Sequence, residues 1–243
     1  MKRIIKISLI LLLVGMAVIA AVPFLKEKRV ERKYENDFKK IQESVTEKKS
    51  DVNGLVKKNK DCIGYVQIPG TTISYPVMQT KDNPDFYLNH DFNRNYSFYG
   101  TPYLSAYCDV KKSDNLIIYG HNINGGKMFG ALEKYKDKEF FYKHRKIHFT
   151  TDKKREYEVF AVMSVNIHEF EYWKFVMARN EEEYDEFVDK VAENSLWKAG
   201  DKPKHREQIL TLSTCDNSTS KDDRLVVLYI SHFYEDNGEV NYS

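Results

Sequence analysis

The hydrophobic rhythm of the chain changes along its length. Behind a basic start, Met1-Lys-Arg-Ile-Ile-Lys6, the stretch from Ile7 to Leu25 carries no charge and is mostly Leu, Ile, Val and Ala. A run of that length can span a bilayer as a helix. The basic cluster ahead of it predicts an amino-terminus held in the cytoplasm. Residues 1–25 are therefore expected to form an uncleaved membrane anchor. The alternative is a cleaved signal peptide ending at Val18-Ile-Ala20, but the apolar run continues past that site. Lys26-Glu-Lys-Arg29 then opens a charged region over residues 26–60. There Tyr34, Phe38, Ile41 and Val45 recur at helical spacing, which predicts a helical stalk with one narrow packing face. Asp51-Val-Asn-Gly54 reads as a break before a short second helix.

From Ile63 the pattern turns to that of strands. Ile63 to Ile68 and Thr72 to Met78 flank a Pro69-Gly70 turn. Thr101 to Tyr107, Asn115 to Tyr119, Lys146 to Thr150 and Glu156 to Val165 are further strands. Asn83-Pro84 opens a loop that carries Phe86, Tyr87 and Leu88. Gly120-His-Asn-Ile-Asn-Gly-Gly126 is a tight polar loop, and Met128 to Leu132 starts a short helix. Asn180-Glu-Glu-Glu183 has a cap residue with Glu at the third helical position. Tyr184, Phe187, Val188 and Val191 form the stripe that this helix should bury, and Gly200 is its expected stop. Two apolar, β-branched runs close the domain, Gln208 to Asn217 and Arg224 to Ile230, with a polar loop between them.

Composition narrows the classes. The chain has 243 residues and a formal net charge of +2, so charge gives no argument for a nucleic-acid partner. Without the first apolar segment the remainder is the size of one ordinary domain with a substantial core, and residues 61–243 are expected to be its catalytic part. The 17 tyrosines and 14 phenylalanines suit strands and aromatic-lined clefts. Cys62, Cys108 and Cys215 contain no C-x-x-C pair, so no zinc site is expected, and their odd number argues against a disulfide framework. No other metal or cofactor is expected.

The chemistry gathers on the last two runs. Cys215 sits where the first gives way to the loop, and Arg224 where the second begins. If the runs pair, a thiol and a guanidinium share one end of the sheet. A lone cysteine is more often a small buried hydrophobe, but a strand end beside Ser213, Thr214 and an arginine favours a nucleophile. The thiolate is the reactive form, so it needs a base or a cation nearby. Of the seven histidines, His121 directly follows an apolar strand and Gly120, a position like that of Cys215. Arg224 cannot act as a base, but it can hold an oxyanion. Its bland role is a salt bridge with Asp222 or Asp223. Asp216 can orient His121 or cap the loop.

Ile117-Ile-Tyr-Gly-His-Asn122, Lys127-Met-Phe-Gly130, Thr211-Leu-Ser-Thr-Cys215 and Arg224-Leu-Val-Val227 together resemble the sortases, class B in particular. Gly64 to Thr71 and Ile73 to Val77 are similar to the family's first strands. The resemblance implies a mainly β fold with accessory helices. This is an eight-stranded sortase-type β-barrel with N-terminal helices and a helix between two late strands. It implies a cysteine transpeptidase, single-pass in the membrane of a Gram-positive cell, with the catalytic domain outside. Such an enzyme cleaves a C-terminal sorting motif of secreted proteins and forms a thioacyl intermediate on Cys215. It then transfers the protein to an amine of a peptidoglycan precursor. His121 would handle the amine protons and Arg224 the oxyanion. Ser213, Leu88 and Asn83 match substrate-contacting positions. Tyr172 and Trp173 fall where the family has an aromatic followed by an aliphatic, so Trp173 is a departure. Thr214 and Asp216 flank the thiol and join the substrate-binding candidates. Competing readings are a pilin-polymerising sortase, a papain-like secreted protease and a non-catalytic binding module. The His-then-Cys order disfavours the protease. The binding module leaves the His, Cys and Arg pattern unexplained.

Overall fold

A computed structural model describes residues 2–47, 52–197, 202–205, 207–216, 220–231, 235–236 and 239–240. The chain divides into two compact units, Met1–Thr46 and Glu47–Ser243.

One helix, α1 (Lys2–Glu47), accounts for the first unit. The expected anchor and the stalk as far as Glu47 are therefore a single continuous helix. The Lys, Glu and Arg residues that follow Leu25 are good helix formers, so a change in polarity brings no change in backbone. Pro23 lies inside the helix. Among the described residues no helix is long and apolar enough to cross a membrane. That finding overturns the expected transmembrane helix, and with it the single-pass placement in a cell membrane. The uncharged stretch is one part of a 46-residue helix that continues straight into Lys26-Glu-Lys-Arg29. The side chains of Tyr34, Phe38, Ile41 and Val45 lie outside what is described.

In the second unit, α2 (Val52–Lys58) buries Val52 and Leu55, and Gly54 sits within it rather than breaking it. Asp51 lies outside the described residues. The strands are β1 (Cys62–Gln67), β2 (Ser74–Met78), β3 (Tyr103–Leu104), β4 (Asn115–Tyr119), β5 (Asn122–Ile123), β6 (Lys127–Met128), β7 (Lys146–Thr150), β8 (Lys154–Asn166), β9 (Ile209–Cys215) and β10 (Asp223–Ser231). Eight of them close into a barrel in the order β1-β2-β3-β4-β9-β10-β8-β7, and β5 and β6 pair separately. The pairs β2–β3 and β4–β9 are parallel. The expected strand from Thr101 to Tyr107 shrinks to β3, because the Thr101 amide is taken by the Tyr87 carbonyl and Pro102 has no N–H to donate.

Two short helical pieces complete the wall: a 3-10 turn over Gly130–Lys136 and α3 (Lys138–Lys143), which is capped by the Asp137 side chain. Between β8 and β9 lies α4 (Glu181–Asn194), whose cap Asn180 accepts from the Glu183 amide at 2.9 Å. It buries Tyr184, Phe187, Val188 and Val191 as expected and ends at Asn194; the expected stop, Gly200, lies outside the described residues. Its apolar face packs on Met163, Ile209, Val226, Leu228 and Ile230. The alternate residues Leu225, Val227 and Tyr229 are equally buried. With helix on one face and barrel interior on the other, β10 has no solvated side, which is why its sequence reads as a continuous apolar run.

Candidate active site

β4 and β9 run side by side, with Tyr119 opposite Ser213. The Gly120 amide then donates to the Ser213 carbonyl at 3.1 Å. Two residues past the Tyr119–Ser213 pair stand His121, just beyond the end of β4, and Cys215, the last residue of β9. On its opposite side, Cys215 is paired in register with Arg224 of β10. Three adjacent chain segments thus carry His121, Cys215 and Arg224 to one end of the sheet. Two glycines allow this crowding. A Cβ on Gly120 would come within 2.7 Å of the Phe129 ring, and one on Gly130 would run into the Ile123 carbonyl oxygen.

The ring of His121 is oriented by main chain. Its Nε2 lies 2.8 Å from the Leu88 carbonyl oxygen. A carbonyl can only accept, so Nε2 carries a proton and, in the neutral ring, Nδ1 holds the free lone pair. Leu88 closes the 3-10 turn Phe86–Leu88, so the loop between β2 and β3 reaches the histidine through its backbone. Arg224 Nη1 donates to the carbonyls of Lys221 and Asp223, both at 2.9 Å. These contacts fix the guanidinium at the mouth of its own hairpin. The carboxylate of Asp223 accepts from Asn166 at 2.8 Å.

The three cysteines differ in kind. Cys62 and Cys108 are buried, and Cys215 is partly exposed. Burial pushes the Cys62 thiol up to about 12, and it raises that of Cys108 as well. Such thiols stay protonated and unreactive near neutral pH.

The remaining expected site residues fall in three places. Ser213 and Tyr172 join directly, with their hydroxyl oxygens 2.7 Å apart. Burial pushes the Tyr172 hydroxyl up to about 12, against the pull of the Ser213 contact and of the Arg224 charge. Trp173 follows in the 3-10 turn Tyr172–Lys174, 38% exposed, with the Lys174 ammonium 5.3 Å from its ring. On the other wall Asn83 is exposed, and its carbonyl accepts from the Thr80 hydroxyl and the Phe86 amide. It shapes the loop that delivers Leu88. Thr214 and Asp216 point elsewhere. Strand alternation puts them on the reverse face from Ser213 and Cys215, and they are 2% and 1% exposed. One of the Asp216 oxygens accepts from Lys136 and the other from Ser164. Ser213 and Tyr172 are buried to the same degree, each at 2%.

Sequence reasoning passed over Asn122 and Tyr103. The Asn122 amide donates to the Cys215 carbonyl at 2.8 Å and to Glu133 at 2.7 Å. Its place beside His121 was the available signal. Tyr103 donates to Asp85 at 3.2 Å, and its ring lies 5.6 Å from that of Tyr119. Burial and the Asp85 charge raise its hydroxyl. Among the described residues no cluster of His, Cys, Asp and Glu is arranged to hold a metal ion.

A partly exposed thiol beside a histidine and an arginine can carry out acyl transfer. Residues 66–229 match the sortase domain. The chain is 28% identical to sortase B of Staphylococcus aureus (strain NCTC 8325 / PS 47) over 236 residues, covering 94% of this chain and 96% of that protein. It is 34% identical to sortase B of Listeria monocytogenes serovar 1/2a over 182 residues, covering 72% and 70%. The structure of a Staphylococcus aureus sortase B–substrate complex superposes with a TM-score of 0.75 at 27% identity, covering 83% of this chain and 97% of that one. Sortase B of Clostridium perfringens gives a TM-score of 0.69 at 30% identity, covering 74% and 98%. With its closed eight-stranded barrel and a match across most of its length, the chain belongs to the sortase family of cysteine transpeptidases, and within it to class B.

Proposed function

We propose that residues 61–243 form the catalytic domain. Its substrate is the C-terminal sorting motif of a secreted protein, and its second substrate is an amine of a peptidoglycan precursor. The Cys215 thiolate attacks the carbonyl carbon of the scissile peptide bond, and the charge passes to the carbonyl oxygen. Arg224 holds that oxyanion. As the intermediate collapses, the C–N bond breaks and His121, carrying on Nδ1 the proton that the Cys215 thiol gave up, passes it to the departing amine and is left neutral. The acyl group is left as a thioester on Cys215. The incoming amine attacks the thioester, His121 takes its proton, and the C–S bond breaks to restore the thiolate.

The observation that carries this reading is the strand register, which sets Cys215 directly against Arg224 and two positions beyond the Tyr119–Ser213 pair of β4. Two walls suit a peptide groove beside it. One is the loop from Asn83 to Leu88, whose Leu88 carbonyl meets His121. The other is Tyr172–Trp173, whose tyrosine meets Ser213. Aromatic rings there would bury the motif's apolar side chains and keep water from the thioester. The test is a fluorogenic sorting peptide incubated with enzyme, with and without an added amine nucleophile. A transpeptidase releases fluorophore in both and forms the amine adduct in the second. Hydrolysis alone at every amine concentration would favour a protease.

A further inference from the structure

The reverse face of the nucleophile strand holds a chain of polar contacts that the transfer chemistry leaves unused. From the Cys215 carbonyl, the Asn122 amide bridges to Glu133 Oε1 at 2.7 Å. Glu133 Oε2 pairs with Lys136 Nζ at 2.8 Å. The same Nζ pairs with Asp216 Oδ1, also at 2.8 Å. Asp216 Oδ2 accepts from Ser164 Oγ at 2.5 Å. The Asp216 amide closes the hairpin by donating to the Asp223 carbonyl at 3.0 Å. The contacts join five pieces of the domain: β5, the 3-10 turn Gly130–Lys136, the end of β9, β8 and the start of β10.

Two properties separate this network from an ordinary surface ion pair. The Asp216 side chain is fully enclosed, while Lys136 keeps about a third of its side chain in solvent. An enclosed carboxylate is costly unless it is paired and hydrogen-bonded, and here both oxygens are engaged. The network also grips both catalytic partners through main chain. Asn122 adjoins His121 and holds the carbonyl of Cys215, and Asp216 is the residue after Cys215.

We propose that Lys136, with Glu133, Asn122 and Asp216, is a positioning device for the transpeptidase reaction, clamping the end of β9 so that the Cys215 thiol is held at a fixed setting against His121. The proposal rests on the transpeptidase reading above. None of the four touches the reacting atoms. They act through the backbone on either side of the thiol and next to the imidazole. Lys136 is the hub, since it neutralises Glu133 and Asp216 together. A displacement of the order of 1 Å at a reacting pair can cost about a hundredfold in rate, so a loosened clamp should appear in kcat rather than in peptide binding.

The experiment compares full-length Lys136→Met, Lys136→Arg and Glu133→Gln with the parent. Each is measured for kcat and KM on the fluorogenic sorting peptide, for the iodoacetamide alkylation rate of Cys215, and for thermal unfolding. Lys136→Met should lower kcat by about ten- to a hundredfold with KM changed by no more than about twofold. Lys136→Arg should recover most of that loss, since it keeps a cation in reach of both carboxylates. Glu133→Gln keeps an acceptor for Asn122 at a side chain that is about a third exposed, so it is expected to fold even if Lys136→Met does not. It should lower kcat by a smaller factor in the same direction. Parent-like kcat in folded Lys136→Met, or in Glu133→Gln should the first not fold, would overturn the proposal. So would a loss in Lys136→Met that Lys136→Arg fails to recover, or one that rises in KM instead. Peptide turnover by Cys215→Ala, run alongside, would remove the transpeptidase reading beneath it, whatever the Lys136 variants do.

Discussion

The two ends of the β9–β10 pair obey different rules. At one end Ile209, Leu228 and Ile230 lie under α4, packed against the side chains of Phe187, Val188 and Val191. Contact there is apolar and non-directional, and Phe175 stacks on Phe187 at 3.9 Å between ring centres. At the other end Cys215 and Arg224 emerge from cover beside the buried Ser213, and most polar side chains nearby have a named partner at hydrogen-bond distance. One pair of strands is thus anchored by burial at one end and dedicated to chemistry at the other. Substitutions at the first should change stability, and substitutions at the second should change rate.

The strongest break in that comparison comes from the catalytic end. Cys215→Ala should abolish the covalent intermediate, read by intact mass after incubation with peptide. His121→Ala should block turnover, because both amines need a proton partner. Arg224→Ala should lower kcat by about two to three orders of magnitude, as loss of one oxyanion donor does. Arg224→Lys should not restore it, because lysine lacks the planar fork. Circular dichroism of all four should match the parent. A folded Arg224→Ala enzyme with near-normal turnover would hand the oxyanion to backbone amides.

The thiols sharpen the contrast within one residue type. With its thiol near 12, Cys62 is ionised to only about one part in ten thousand at pH 8, and burial raises Cys108 too. The shift is upward, so the protonated form persists until the pH approaches the raised value. Iodoacetamide at pH 8 should add a single label to the native protein, on Cys215, and three after denaturation. A second label on the native protein would mean that the barrel opens at one of the buried cysteines.

Much of this architecture is legible in the chain because burial writes a period. β4 and β7 match the expected strands Asn115–Tyr119 and Lys146–Thr150. The α4 cap and its four-residue stripe are where Asn180 and Tyr184 to Val191 put them. The pairing of Cys215 with Arg224 follows from two apolar runs and a loop. What stayed hidden has no local period. α3 is six residues long and rests on the Asp137 cap, so it is too short to display a stripe. The unbroken α1 hides behind a change of polarity that the backbone ignores. The clamp behind the nucleophile joins Lys136 to Asp216 across 80 positions, and neither residue type announces such a partner. The carbonyl of Leu88 at His121 is a backbone contact, and side-chain identity cannot encode it.

At the covered end, Phe187→Ala should cost about 3–5 kcal/mol, since it removes a large buried ring from a packed interface. Urea unfolding measures it. The kcat of the folded fraction, assayed well below the midpoint, should stay within about threefold of the parent. A collapse of kcat in the folded enzyme would show that the α4 interface tunes the chemistry, and the division between the two ends would fail.

A smaller effect is expected on the groove wall. Trp173 is 38% exposed and touches the lysine beside it rather than the core. Trp173→Ala should raise KM for the sorting peptide by roughly three- to tenfold and leave kcat unchanged, the pattern of lost uniform binding. Equal kinetics across a panel of sorting peptides would take Tyr172–Trp173 out of the groove.

The finest test lies one residue before the nucleophile. Thr214 faces away from Ser213 and Cys215, and its buried hydroxyl has no hydrogen-bond partner among the described residues. A buried donor left unmade costs about 1–3 kcal/mol. Valine has nearly the same shape and the same β-branched preference for a strand. Thr214→Val should therefore raise stability by about 1 kcal/mol, read as a higher urea midpoint at unchanged slope. Turnover should not move, because the hydroxyl lies on the reverse face of the strand. The opposite result is equally informative. If Thr214→Val keeps its midpoint and loses activity, the hydroxyl finds its partner only when substrate is bound, and the reverse face of β9 takes part in the reaction after all.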